Sequence, residues 1–197
     1  MVGGLRPSAL ASHQIAMNLA GVTFMVPLGV ASAGAVRVGH AVGRRDAAGA
    51  GRSGWTALLL GGLFMSCAAL AFVLFPRALL GLFTSDPRVI EAGVSLLFIA
   101  ALFQLFDGLQ AVGTGVLRGL GDTRTPMVTN LAAHWFFGLP VGYALCFVLG
   151  LGVVGLWIGL SLGLIVVALV LLATWLRRLR ALDFADTEAL APACEPA

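Results

Sequence analysis

Leu102-Phe103-Gln104-Leu105-Phe106-Asp107-Gly108-Leu109-Gln110 is the stretch that decides the fold, because it lies within the apolar run 92–117, where Asp107 is the only ionisable side chain. At about 1.5 Å of rise per residue, a helix of this length exceeds the roughly 30 Å hydrocarbon thickness of a bilayer. The run therefore predicts a membrane-spanning helix, with Asp107 well inside it and nearer the Arg118 end. Centring a carboxylate in a span costs on the order of 2.5–3.5 kcal/mol even on the lenient insertion scale, so Asp107 should face protein or a water-filled cavity. Its neighbours agree. Gln104, Asp107, Gln110 and Thr114 follow at spacings of three, three and four, which at about 100° per residue puts them on one face, while Leu102, Phe106 and Leu109 point elsewhere. A single polar face on an otherwise apolar helix is the lining of a cavity.

Composition puts the rest of the chain in the same setting. Hydrophobic residues make up 59% and charged residues 11%, and the mean hydropathy is +1.00. These values lie outside the range of soluble domains and describe an all-α polytopic membrane bundle. All 12 basic residues are arginine. They sit in short segments between apolar runs, a topology signal, and do not form the clustered soluble face that nucleic acid would need. Cys67, Cys146 and Cys194 have neither metal-ligand nor redox spacing and read as small apolar filler plus one tail thiol.

Five runs are long enough to span, at about 12–36, 54–75, 92–117, 126–149 and 153–176, with a polar tail over 180–197. Nine arginines fall in the connections 37–53 and 118–125 and at the start of the tail, against Arg6, Arg77 and Arg88 on the other side. That bias predicts a cytoplasmic C-terminus and an N-terminus outside, a topology best explained by a preceding helix that this chain lacks. A cleavable signal peptide is the weaker explanation, because the first run is too long and contains Asn18 and Pro27.

The first run carries Gln14, Asn18, Gly21, Met25 and Ser32 at helical spacing, which either lines a cavity or lets helices pack closely. His13 reads as interfacial and His40 as a solvated loop residue. In the fourth run Asn130 and His134 are four apart, with Pro140 breaking the ladder beyond them. They offer either an interhelical hydrogen bond or a second wall of the cavity that Asp107 faces. Gly115 and Gly119 form a GxxxG pair that permits a close helix crossing. Trp157 and Trp175, near the ends of the last run, are expected to be interfacial anchors.

Four segments, ASHQIAMN at 11–18, LGVASAGAVRVGH at 28–40, FQLFD at 103–107 and GVLRGLGD at 115–122, resemble the multidrug and toxic compound extrusion (MATE) transporters, in that family's order and over residues 10–179. The resemblance implies helices eight to twelve of a twelve-helix fold, five of the six helices of the second lobe, with residues 1–179 forming this partial lobe. It also implies a place in the bacterial inner membrane and export of organic cations or amphipathic drugs in exchange for sodium ions or protons, with no cofactor. By the same resemblance Asp107 matches the tenth-helix carboxylate implicated in ion coupling and is a sodium-ligand candidate. Gln104, Gln110, Thr114, Gln14, Asn18, Asn130 and His134 are then the candidate cavity walls. The pattern departs at Phe103, which matches a tyrosine in sodium-binding members, and the acidic partner on helix seven has no counterpart here. The partners implied are lipid, the drug, the N-terminal lobe and the missing helix of this lobe.

Two other readings compete. One is a non-transporting membrane fragment or interaction subunit in which Asp107 is merely inherited. The other is a lipid-linked saccharide flippase, which a cationic central cavity would favour, but no arginine falls deep in any span.

Overall fold

In a computed structural model describing residues 7–189, the helix that carries Asp107 sits at the centre of an all-helical bundle. The elements in order are α1 (Pro7–Gly43), α2 (Ala47–Leu74), the short α3 (Pro76–Gly81), α4 (Pro87–Gly119), α5 (Arg124–Ala132), a π-helical segment (Ala133–Gly138), α6 (Leu139–Tyr143), a second π-helical segment (Ala144–Val148) and α7 (Gly152–Ala189). Five stretches are long and apolar enough to cross a membrane: Leu10–Gly43, Ala47–Leu74, Pro87–Gly119, Arg124–Val148 and Val154–Leu182. Each covers one of the runs expected from sequence to within a single residue at either end.

α4 packs against α1, α2, α3 and α7. Lipid tails are as apolar as leucine, so association inside a bilayer relies on close van der Waals contact, which small residues permit. Gly115 and Gly119 meet this need at the crossing of α4 on α1. A Cβ on Gly115 would lie 2.3 Å from the Ala31 carbonyl oxygen, and one on Gly119 would lie 2.7 Å from that of Ala35. The fourth span meets α7 in the same way, for a Cβ on Gly159 would lie 2.3 Å from the Gly142 backbone nitrogen. Around these crossings lie two apolar clusters. Val38, Val112, Val116, Leu171 and Trp175 belong to one, and Ala16, Phe72, Leu97, Ala100 and Trp157 to the other.

Several helices run further than the apolar runs. The connection expected over 37–53 shrinks to Arg44, Arg45 and Asp46, and His40 lies in the last turn of α1. Asp46 caps α2 by accepting from the Gly49 N–H at 2.7 Å, and Asp86 caps α4 by accepting from the Arg88 N–H at 2.9 Å. Side-chain caps satisfy the orphan N–H groups of a first turn, so they fix helix starts independently of where apolarity begins. α7 continues to Ala189, ten residues into the segment read as a tail, and residues 190–197 lie outside the described residues.

The interfacial placement of the two tryptophans is overturned. Trp157 and Trp175 are 1% and 0% exposed; the Trp157 ring packs edge-on against His13 and Phe103. Gly54 lies against the Trp175 ring. His13, expected at the interface, is half-buried and accepts from the Trp157 indole N–H at 3.0 Å.

Candidate functional site

The four polar residues of α4 look toward two neighbours. Gln104 is 1% exposed, and its Oε1 lies 2.9 Å from the Thr23 hydroxyl of α1. Gln110, two turns on, donates through Nε2 to Asn130 Oδ1 of α5. Asn130 is itself held by its donation to the Pro126 carbonyl at 2.8 Å. Asp107 lies midway between the two glutamines in helical phase, about 60° from each. It therefore faces the gap between α1 and α5, and among the described residues it has no hydrogen-bond or ion-pair partner.

The two glutamines have hydrogen-bonding capacity left over. Gln104 Nε2 and Gln110 Oε1 are both buried without a partner. An unused donor and an unused acceptor thus occupy the turns on either side of an unpartnered carboxylate. Such groups carry a full desolvation cost unless a water, an ion or another chain meets them.

Thr114 extends the polar face into a cavity of about 180 Å³ between α4 and α5, where Arg118, Asp122 and Asn130 are also exposed to the space. At its far end the α4–α5 turn is fastened to α7. Asp122 accepts from the Thr125 N–H at 3.0 Å through Oδ1 and from the Thr125 hydroxyl at 2.8 Å through Oδ2, and Arg178 donates to that same Oδ2 at 3.0 Å. The Thr125 N–H does most to hold the Asp122 carboxyl below the usual carboxylate range, with the Thr125 hydroxyl and the Arg178 guanidinium adding to it. A depressed folded-state pKa means that this latch stabilises the fold at every pH above the unfolded value of about 3.9 and is lost as pH falls through the lower folded value. Asp122→Asn should therefore lower stability by up to about 1 kcal/mol at neutral pH, because it removes the charge that Arg178 and Thr125 bond to. Thermal unfolding in detergent checks this, with the two proteins converging as the pH falls below the ordinary carboxylate range and the Asp122 carboxylate is protonated.

The site residues expected from sequence divide into three groups. Gln104, Asp107, Gln110, Thr114 and Asn130 come together along α4 and α5. His134 joins them indirectly, its Nδ1 lying 3.0 Å from the Asn130 carbonyl at the start of the first π-helical segment. Gln14 and Asn18 are not brought to the Thr23–Gln104 contact. They bond weakly to each other at 3.5 Å on an exposed face of α1, opposite the face that carries Ala16, Ala31 and Val38 into the bundle. Thr23 was not anticipated, since a single threonine in an apolar run carries no pattern. The Asp122–Arg178 pair escaped as well, because its partners are 56 residues apart.

Comparison with known proteins places this geometry in a lineage. The family model described as MatE matches residues 1–144. The chain belongs to the MatE family. Among curated MatE relatives, a probable multidrug resistance protein NorM of Mesorhizobium japonicum is 48% identical over 183 residues, covering 90% of this chain and 39% of the relative. The multidrug resistance protein NorM of Burkholderia vietnamiensis is also 48% identical, over 86% of this chain and 38% of the relative. The chain thus spans about two fifths of the length of the curated relatives it matches. Among solved structures, a eukaryotic MATE transporter superposes with a TM-score of 0.79 at 25% identity, over 93% of this chain and 43% of that one. An inward-facing multidrug resistance MATE family transporter gives 0.79 at 20% identity, over 88% and 39%. With this fold and family, the chain is an integral membrane protein.

Proposed function

We propose that this chain is part of a cation-coupled multidrug antiporter of the bacterial inner membrane, in which Asp107 carries the coupling ion, sodium or a proton. The observation that carries the reading is an unpartnered carboxylate within a span, flanked by buried amide atoms with unused bonding capacity, on a face toward the gap between α1 and α5. Charge neutralisation of Asp107 by a proton or a hard cation offsets the cost of a carboxylate in the membrane. Releasing that neutralising ion on one side only, as the transporter changes its open side, links ion entry to drug departure. Gln110 Oε1 and the Asp107 oxygens suit a hard cation, which prefers oxygen ligands.

The test is reconstitution of a full-length transporter containing these residues in proteoliposomes, with ethidium as the organic cation. An imposed sodium or proton gradient should drive ethidium against its own gradient. Failure of both gradients, with the protein folded and inserted, would refute the reading.

The proposed topology places the α3–α4 connection outside and the α1–α2 and α4–α5 turns in the cytoplasm, on the arginine bias. With the native cysteines replaced, Ser85→Cys should react with an impermeant thiol reagent in intact cells. Labelling of this position from the cytoplasmic side alone would reverse the topology.

A specific observation bears on the non-transporting alternative, since the chain covers only about 39% of a similar relative. Alternating access moves one repeat against another around a site between them. Residues 1–197 expressed alone should accordingly give a pump-deficient host no drug resistance above its vector control, as read by inhibitory concentrations. Resistance from this chain alone would contradict that expectation.

A further inference from the structure

Outside the Asp107 site, the groove where α1 turns into α2 has an uncompensated charge and an apolar floor. Arg37, Arg44 and Arg52 line a groove of about 570 Å³. All three are exposed, and none makes an ion pair among the described residues. Asp46 also lines the groove, but its carboxylate is engaged by the Gly49 N–H of α2. The groove therefore keeps a net positive charge.

Its depth distinguishes the ligand. Arg52, Thr56 and Leu60 descend one face of α2 at four-residue steps and all line the groove. At about 1.5 Å per residue, Leu60 lies roughly 12 Å further into the span than Arg52. Arg37 lies about 9 Å up α1 from its end at Gly43, so the charge reaches along the helices to the edge of the apolar runs and is not held at the turn alone. Leu59, Leu60 and Leu63 are 69%, 54% and 66% exposed and continue the groove as a bare apolar surface. A free anion would use the arginines and leave the leucines bare. An amphiphile with a phosphate head and an acyl chain fits both.

We infer that the α1–α2 groove is a binding site for an anionic phospholipid, with its phosphate diester held by Arg37, Arg44 and Arg52 and an acyl chain laid along Leu60. Guanidinium groups suit this role because their planar donor forks match phosphate oxygens and remain charged at any accessible pH. Basic side chains near an anionic bilayer surface contribute about 1 kcal/mol each, or roughly fivefold in affinity, so three set a ceiling near a hundredfold and a working preference of about tenfold.

The test is a lipid titration of the purified chain in non-ionic detergent, read by native mass spectrometry. Phosphatidylglycerol and phosphatidylcholine with identical acyl chains are the probes. Phosphatidylglycerol should bind about tenfold more tightly. The combined Arg37→Gln, Arg44→Gln and Arg52→Gln variant should reduce that preference to about twofold or less, while the corresponding triple lysine variant retains most of it. Arg177→Gln with Arg180→Gln, at the same end but outside the groove, should leave it unchanged. Should the triple glutamine variant not fold, Arg52→Gln alone should lower the preference by roughly three- to fivefold. The proposal fails if the glutamine variants keep the preference or if the Arg177 and Arg180 variant loses it equally. It also fails if millimolar inorganic phosphate displaces phosphatidylglycerol, since the site then holds a free anion.

Discussion

Replacing Asp107 by asparagine in the full-length transporter is expected to abolish gradient-driven efflux while leaving the protein in the membrane at wild-type levels. Asparagine keeps the size and hydrogen-bonding character of the side chain and removes its charge, so it separates a titrating or ion-binding role from a static one. A carboxylate kept only for an interhelical hydrogen bond would be a costly choice, because an amide makes the same bond without the roughly 2.5–3.5 kcal/mol of inserting a charge. The geometry sharpens the contrast, since Asp107 makes no such bond among the described residues, whereas Gln104 and Gln110 do. Ethidium transport in proteoliposomes under sodium or proton gradients, with insertion checked in the same preparation, is the measurement. Gradient-driven transport by Asp107→Asn at the wild-type rate would remove Asp107 from the coupling step.

Gly115→Val should be among the most damaging single changes to the fold of this chain. The new Cβ would lie 2.3 Å from the Ala31 carbonyl oxygen and 2.8 Å from the Ala31 carbonyl carbon and Cα. These are backbone atoms of a helix and cannot rotate away, so α1 and α4 must separate along their shared interface. Overpacking in a close-packed core costs about 1–3 kcal/mol where side chains can yield, and a backbone clash sits at or above the top of that range. Gly108→Ala provides a graded comparison, because its Cβ would meet the flexible Met65 side chain at 2.4 Å. Gly29→Ala is the control, with nothing within 4 Å. Monodispersity and thermal midpoint in detergent should rank the variants in that order, with Gly115→Val aggregated or absent and Gly29→Ala indistinguishable from wild type.

Most of the bundle was legible because membrane burial leaves a coarse, long-range mark on sequence. Each span needs about 20 apolar residues, and those runs are unmistakable. The α4 polar face was legible for the same reason, as charged and amide groups stand out against leucine and phenylalanine. Hydropathy marks depth in the bilayer and not helix length, so it missed that α1 continues to Gly43 and that α2 begins at Ala47, where Asp46 caps it.

Orientation was harder to read than identity. Gln14 and Asn18 form a helical stripe as clear as that of Gln104 and Gln110, yet theirs is the unburied side of α1 in this chain. A polar stripe alone does not say which neighbour it meets. Trp157 and Trp175 failed for a related reason. Their positions near span ends suit interfacial anchors, but whether an indole points to headgroups or into the bundle depends on what other helices place against it, Gly54 for Trp175 and His13 with Phe103 for Trp157. In the fourth span Pro140 signalled a break, and the outcome is two π-helical segments flanking α6, a local rearrangement that propensity does not specify.

The crossing of α4 on α1 acts as the pivot of a lever. At Gly115 and Gly119 the two helices touch backbone to backbone, whereas toward the other end they are joined through side chains, by Thr23 on Gln104 and by the Ser12 hydroxyl on the Val89 carbonyl. The eleven residues between Gly115 and Gln104 give an arm of about 16 Å. A rotation of about 10° about the pivot would move the far end by roughly 3 Å, enough to part a 2.9 Å hydrogen bond while barely disturbing the pivot itself. Asp107 lies three quarters of the way along that arm, so small angular changes in α1 translate into a widening or narrowing of the space before its carboxylate.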